Sequence, residues 1–434
     1  MMEKKKVIFQ ELLQKHPADI AEVLSQLSDE QATKLLHRLY LRQAAAEPLG
    51  EMDPDESAEL LSDLDREEAI KILARMDPDD AVDLLEELPE ETQKEILSNV
   101  DSKEAKVISD LLTYPSDSAG GLMSPEVVAL SLDMSVQQAI DVLRQRAEEA
   151  ETIYFAYAVD DQHHLQGVLS LRDIALAQPE TRLSSLVEID VISVPVEADA
   201  EEVALLFDKY NFYALPVIDQ QVKLLGIITI DDVIDVMREE ATEDIYGMAS
   251  VPMNESVDTS WFSSLRMRLP WLYVRLATAI LAALVVATFE QTIAKVAALA
   301  VLMGVIAGQG GSTGMQTITI ITRGMALGEM ERHQGHKLLR KEILLGVANG
   351  LIIGVTLGII TYLWKGQPLL GVVVCLAMLF NTVVAGAMGV LIPLGLQALG
   401  KDPAIASGVF LTTVTDVLGF AFLFLLAHLF LRVI

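Results

Sequence analysis

One cysteine, Cys375, in a chain of 434 residues excludes a disulfide within the chain and a thiolate metal centre. The sequence has no glycine-rich phosphate loop, no nucleophile motif and no His/Cys cluster at metal-ligand spacing, so no enzymatic activity is expected. Its first residues, MMEKKKVIFQELLQKHP, lack the apolar core of a signal peptide, which predicts that the front of the chain stays in the cytoplasm. Bases are scarce: 32 Lys and Arg against 62 Asp and Glu leave a formal net charge of −30. Such an excess repels phosphates, so nucleic acid is not an expected partner, whereas cations are attracted.

What is present is divided unevenly. A mean hydropathy of +0.37 conflicts with that charge if the chain is one soluble domain. From Ser263 to Ile434 there are 6 acids and 12 bases, so 56 acids and 20 bases precede them. An acidic soluble region is therefore followed by a hydrophobic, slightly basic one.

The acidic region repeats. SDEQATKLLHRL begins at Ser28, DREEAIKILARM at Asp65, DPDDAVDLLEEL at Asp77, PEETQKEILSNV at Pro89 and DSKEAKVISDLL at Asp101. Each block opens on Asp, Ser or Pro, has an acidic first turn and then leucines at helical spacing. One short amphipathic helix cannot bury its stripe alone, so a helical solenoid of either hand is predicted over roughly Gln10 to Leu112. After YPSDSAGGLMS the chain contains a duplication. VVALSLDMSVQQAIDVL with YFAYAVDDQHHLQGVLSLRDI is followed by VISVPVEADAEEVALLF with FYALPVIDQQVKLLGIITIDDV. Each copy reads as strand, helix, strand, turn, strand, helix. The hydroxyls and acids Ser170/Asp173 and Thr229/Asp232 either hold a nucleotide or simply end a strand and cap a helix.

A long helix follows, DDVIDVMREEATEDIYGMA. Asp232, Asp235, Glu239 and Glu243 share one face, which is self-repelling unless a cation neutralises it; a solvated connector is the alternative. Five apolar stretches then span a membrane: Pro270–Phe289, Val296 to about Ile321, Ile343–Trp364, Leu369–Leu399 and Ala404–Ile434. Arg266, Arg268, Arg332, Lys337, Arg340, Lys341 and Lys401 fall on one side; Lys295, Lys365 and Arg432 fall on the other. The positive-inside rule puts the acidic region and the loop GEMERHQGHKLLRKE in the cytoplasm and the C-terminus outside. The paired His333 and His336 read as part of that solvated loop.

In the last span Gly408, Thr412 and Asp416 stand one turn apart as small residue, hydroxyl and carboxylate. A carboxylate in mid-span marks an ion path; the alternative is a structural pair with Arg275 or Arg323. The second span, MGVIAGQGGSTGMQTITIITRG, adds glycines for close backbone approach and neutral oxygens from Gln309, Ser312, Thr313 and Gln316. Such a ring of oxygens suits a hard, hydrated cation.

The order of an acidic helical stack, the duplicated α/β modules, an acidic helix and five spans resembles the MgtE family of magnesium channels and transporters. The α/β modules themselves resemble cystathionine-β-synthase (CBS) modules. The most specific stretches are GGSTGMQTITIITRGMALGE and KDPAIASGVFLTTVTDVLGF. The family commonly has asparagine in the glycine-rich part of the second span, where Gln309 and Gln316 stand here. The resemblance implies a multidomain membrane protein. Its parts would be an all-α superhelical domain (1–121), an α/β CBS pair (122–184 and 185–231), a connecting plug helix (232–262) and an all-α five-helix transmembrane domain (263–434). It implies a homodimer among membrane lipids, with Mg2+ as the ion and ATP as a ligand of the CBS pair. Asp416, Thr412, Gly408 and Gln316 would form the ion path. Glu239, Glu243, Asp244, Asp402, Asp232, Asp199, Glu201, Asp79, Asp83 and Glu47 would bind the cytosolic Mg2+ that closes it. Readings that stay open are a transporter for Co2+ or Mn2+, a proton-coupled transporter, and a membrane-anchored nucleotide sensor.

Overall fold

The computed structural model describes residues 9–100, 102–147, 150–253, 255–257, 259–329, 335–404 and 407–430. The chain forms two compact units, Met1–Val236 and Met237–Ile434.

The first unit begins with short helices: α1 (Pro17–Ser25), α2 (Asp29–Tyr40), α3 (Ala46–Gly50), α4 (Pro54–Ser62), α5 (Arg66–Leu73), α6 (Pro78–Glu86), α7 (Glu90–Leu97) and α8 (Ser102–Leu111). Proline at the first turn, with Asp53 accepting from Asp55 N at 3.2 Å, explains why α4 starts where it does. Each helix contributes a stripe such as Ala81, Val82, Leu84 and Leu85, and the stripes fuse into one core. The twelve-residue blocks thus become a helical stack, because no helix of eight or nine residues is stable without neighbours.

Two α/β modules follow. The first comprises β1 (Ala129–Ser131), α9 (Val136–Arg146), β2 (Phe155–Val159), β3 (Leu165–Ser170) and α10 (Leu171–Leu176). The second comprises β4 (Val194–Pro195), α11 (Ala200–Tyr210), β5 (Ala214–Ile218), β6 (Leu224–Thr229) and the start of α12 (Ile230–Ala249). In each three-stranded sheet the first strand pairs parallel with the second, and the second antiparallel with the third. The two hairpins exchange bonds, Leu165 N to Val222 O at 2.9 Å and Leu224 N to His163 O at 3.1 Å. The stretch after α8 is not a loose linker. Ala119 N donates to Ala198 O at 2.7 Å and Gly120 N to Val196 O at 2.9 Å, so Ser118–Gly121 is buried against the second module. Part of the helical stack and the second module therefore share a core.

Among the described residues the second unit holds five helices long and apolar enough to cross a membrane: α13 (Trp261–Thr288), α15 (Ala298–Ala326), α16 (Gly335–Lys365), α17 (Pro368–Ala398) and α18 (Ser407–Phe430). A short helix, α14 (Glu290–Lys295), joins the first two. The first span begins nine residues before the apolar run does, with Pro270 inside it. A polar clip explains the early start: Ser260 accepts from Ser263 N, and Glu255 accepts from Ser264 Oγ at 2.5 Å and Arg268 Nε at 3.0 Å. The third and fourth spans pack closest. Gly346, Gly350, Gly354 and Gly358 present a stripe on which any Cβ would lie 2.8 Å or less from atoms of α17.

Candidate ion path and carboxylate clusters

In α18 Gly408, Thr412 and Asp416 form one stripe. Thr412 Oγ1 donates back to Gly408 O at 3.0 Å, which leaves its lone pairs outward. Asp416 is half-buried. Arg275 of the first span exerts a Coulombic pull on it, yet among the described residues no hydrogen bond or ion pair joins the two. The second and fifth spans meet through small residues: a Cβ at Gly311 would reach Thr412 Cγ2 at 3.9 Å, and one at Gly314 would strike Leu411. Gln316 is exposed, on a stripe with Gly304, Gly308, Ser312 and Thr319. Small and polar groups along one open face need cover that hydrocarbon does not provide.

The first unit gathers acids. Asp79 is buried, with 8% of its surface exposed, and its Oδ1 has no partner among the described residues. Its carboxyl is pushed well above the usual range, first by burial and then by the charges of Asp232, Glu151 and Asp80. Asp80 rises to about 7 through burial and Asp77, Asp232, Asp83 and Glu151. Glu151 rises to about 7 through burial, Asp77, Asp231 and Glu126. Asp232 rises to about 7 through burial, Asp231 and Glu151. Glu47 pushes Asp77 up in turn, after burial. The helical stack, the first module and the start of α12 thus press carboxylates together, and each resists ionising beside the others.

A second group lies in the other unit. Asp244 is raised by burial, then by Asp402 and Glu243. Asp402 accepts from Ala404 N at 2.8 Å through Oδ1, while its buried Oδ2 has no partner among the described residues. The end of α12 reaches the second and fifth spans: Thr319 Oγ1 lies 3.8 Å from Met248 Sδ, and a Cβ at Gly408 would meet Met248 O at 3.0 Å. Among the described residues no three Asp, Glu, His or Cys side chains converge to ligate one ion directly.

The module hydroxyls are bonded locally. Ser170 Oγ donates to Asp173 Oδ2 at 2.5 Å and accepts from Asp173 N at 3.1 Å. Thr229 donates to Asp232 Oδ2 through Oγ1 at 2.9 Å and through N at 3.3 Å. Both pairs are helix starts in this structure.

Comparison with known proteins fixes the lineage. Residues 15–117 match the MgtE intracellular N domain, 119–180 and 183–239 match CBS domains, and 303–426 match MgtE, a divalent cation transporter family. The chain is 37% identical over 331 residues to the magnesium transporter MgtE of Enterococcus faecalis, which covers 76% of this chain and 73% of that one. It belongs to the MgtE family. The Thermus thermophilus magnesium transporter MgtE is also 37% identical, covering 75% of this chain and 73% of its own. A crystal structure of the cytosolic domain of the Mg2+ channel MgtE in complex with ATP aligns at 36% identity. Its TM-score is 0.51, over 54% of this chain and 94% of that one.

Within this MgtE-family chain the structure brings some expected residues together and separates others. Asp79 and Asp232 share a cluster, and Asp244 feels both Asp402 and Glu243. Asp83 is exposed, and its charge reaches Asp80. Asp199 caps α11, accepting from Glu201 N at 2.9 Å. Glu239 is exposed on α12. His333 lies outside the described residues, and His336 stands in α16 instead of a loop. Glu342 likewise is not in the solvated loop: it is 3% exposed inside α16 and accepts from Thr317 Oγ1 at 3.0 Å. Asp80, Glu151, Met248 and Asn381 went unmarked in the sequence. Only Asn381 carried a signal, an amide in the middle of an apolar span.

Proposed function

We propose that the chain is a Mg2+ channel of the cytoplasmic membrane, passive in conduction and closed by cytosolic Mg2+. Conduction is assigned to the Asp416 stripe, with Thr412 and Gly408 before it and Gln316 of the second span opposite. The ion keeps much of its water, since one carboxylate among hydroxyl and amide oxygens does not replace an octahedral shell. The relatives named magnesium transporters support Mg2+ as the ion. The open polar stripe on the second span supports a second copy of the chain as its cover, hence a homodimer. The loop charges support a cytoplasmic acidic region and a C-terminus outside.

The observation that carries the closing mechanism is the pair of carboxylate clusters. Asp79, Asp80, Glu151 and Asp232 press together in the first unit, where each carboxyl is raised, and Asp402 and Glu243 crowd Asp244 in the second and raise it. Without a divalent cation their repulsion favours separation. With it, the compact arrangement is favoured, and the end of α12 stays seated at Met248 against Gly408 and Thr319. One site occupied only in the closed state at about 100 times its dissociation constant contributes roughly 2.7 kcal/mol. A shift from about 1:99 to 99:1 needs roughly 5.5 kcal/mol, so two or more such sites suffice. The related cytosolic domain is in complex with ATP; here Ser170/Asp173 and Thr229/Asp232 are its proposed contacts.

The decisive experiment is Mg2+ flux into liposomes that contain only this protein, at varied Mg2+ on the side of the soluble region. Flux without a proton gradient that shuts off at millimolar Mg2+ is expected. Absence of flux would leave the nucleotide-sensor reading, and strict dependence on a proton gradient would favour coupled transport.

A further inference from the structure

Asn381 stands in the middle of the fourth span and is 0% exposed. Its Nδ2 donates to Ile306 O of the second span at 2.8 Å. Its Oδ1 is buried and has no partner among the described residues. Two glycines make room for the amide. A Cβ at Gly310 of the second span would collide with the amide nitrogen, and one at Gly419 of the fifth span would lie 2.9 Å from Oδ1. The amide is therefore wedged between the second and fifth spans, held by one and touched by the other.

Its level in the bundle matters. Gly311, next to Gly310, lies beside Thr412, and Gly419 follows Asp416 by one turn. Asp416 is thus bracketed by Thr412 and by the residue on which the amide rests. A second polar contact sits further along the second span, where Thr317 Oγ1 donates to the buried Glu342 Oε2 of the third span at 3.0 Å. The stretch carrying Gln309, Ser312 and Gln316 is bonded from behind at both ends.

Stability alone does not account for Asn381. A buried oxygen left without a donor costs stability, and a leucine of similar shape leaves no such group. Hydrogen bonds between membrane helices contribute only modestly on average. An amide kept at a net cost, between the two spans that meet beside the mid-membrane carboxylate, has a directional use: it fixes the distance and register of the second span against the fifth.

We propose that Asn381 is a positioning residue for the ion path, acting through Ile306 O, Gly310 and Gly419 without touching the ion. The inference rests on the conduction assigned above to Asp416. The test is Mg2+ and Ca2+ flux through full-length protein in liposomes, with the melting temperature of each variant measured in detergent. Asn381→Leu should melt at or above the wild-type temperature, yet its Mg2+:Ca2+ flux ratio should fall by about tenfold, as expected when a binding geometry slips by a fraction of an ångström. Gly310→Ala should lose flux because its methyl strikes the amide, and Gly310→Ala with Asn381→Ala should recover part of it. A folded Asn381→Leu protein with an unchanged ratio would overturn the proposal, as would a fall that merely tracks lost stability. If Asn381→Leu does not fold, the Gly310/Asn381 pair decides: additive losses sink the clamp, and recovery supports it. Wild-type protein that conducts no Mg2+ would instead sink the channel reading itself.

Discussion

Asp80→Asn tests the charge mechanism at its most loaded point. Asp80 lies in α6, its Oδ2 against Gly50, and its carboxyl is raised from 3.8 to about 7 by burial and by Asp77, Asp232, Asp83 and Glu151. The interval from 3.8 to about 7 corresponds to at most about 4 kcal/mol of unfavourable free energy when the folded group ionises. The sign follows from linkage. An acid whose folded pKa exceeds its unfolded one favours the folded state below the unfolded value, and that benefit is lost as pH rises through the interval. Without Mg2+, the packing around α6 should therefore weaken from about pH 4 to about pH 7 and stay weak above it. Asparagine keeps the shape and removes the charge, so at pH 8 it should strengthen that packing by about 1–3 kcal/mol, less than the full interval because a buried amide still needs partners. Hydrogen-exchange protection factors of the α6 amides Asp79–Glu86 in the full-length protein read this directly, at pH 6 and 8, with and without millimolar Mg2+. Wild type should exchange fast at pH 8, and Mg2+ should slow it strongly. The variant should already be slow, with little further protection from Mg2+. Sodium at equal ionic strength should do much less, because screening over about 8 Å does not bridge carboxylates. Faster exchange in the variant at pH 8 without Mg2+, or equal protection of both proteins by Mg2+, would refute the reasoning.

Three further outcomes are expected. Asp416→Asn should insert and fold yet lose at least about tenfold in Mg2+ flux, the factor that roughly 1.4 kcal/mol commands, and Asp416→Ala should lose more; normal flux in either would make the carboxylate structural. Neutralising Glu239, Glu243 and Asp244 together should leave flux running at millimolar Mg2+ on the soluble side, since a 5.5 kcal/mol shift is out of reach with about one site lost; normal closure would end the plug assignment. Calorimetry should detect saturable ATP binding that Asp173→Ala and Asp232→Ala weaken, and silence at millimolar ATP would leave both pairs as helix caps.

Features set by local repetition or by solvent preference were legible without coordinates. The twelve-residue blocks at Asp65, Asp77, Pro89 and Asp101 encode caps and leucine stripes within single helices, and α5 to α8 follow them closely. The duplicated strand-helix-strand pattern and the five apolar runs are likewise properties of contiguous sequence. Asp416 announced itself because a carboxylate in hydrocarbon is costly wherever its partners lie. What contiguous sequence could not carry was which distant side chains meet. Glu342 sits at the edge of an apolar run, where periodicity cannot tell a solvated end from a buried one, and only the approach of Thr317 decided it. Asp80 and Glu151 looked like ordinary members of an acidic surface, and only packing of the helical stack against the modules removed their water and raised their pKa values. Asn381 needed Gly310 and Gly419, from two other spans, to become a wedge. Burial and charge proximity depend on atoms many residues apart, so composition bounds them while tertiary packing alone assigns them.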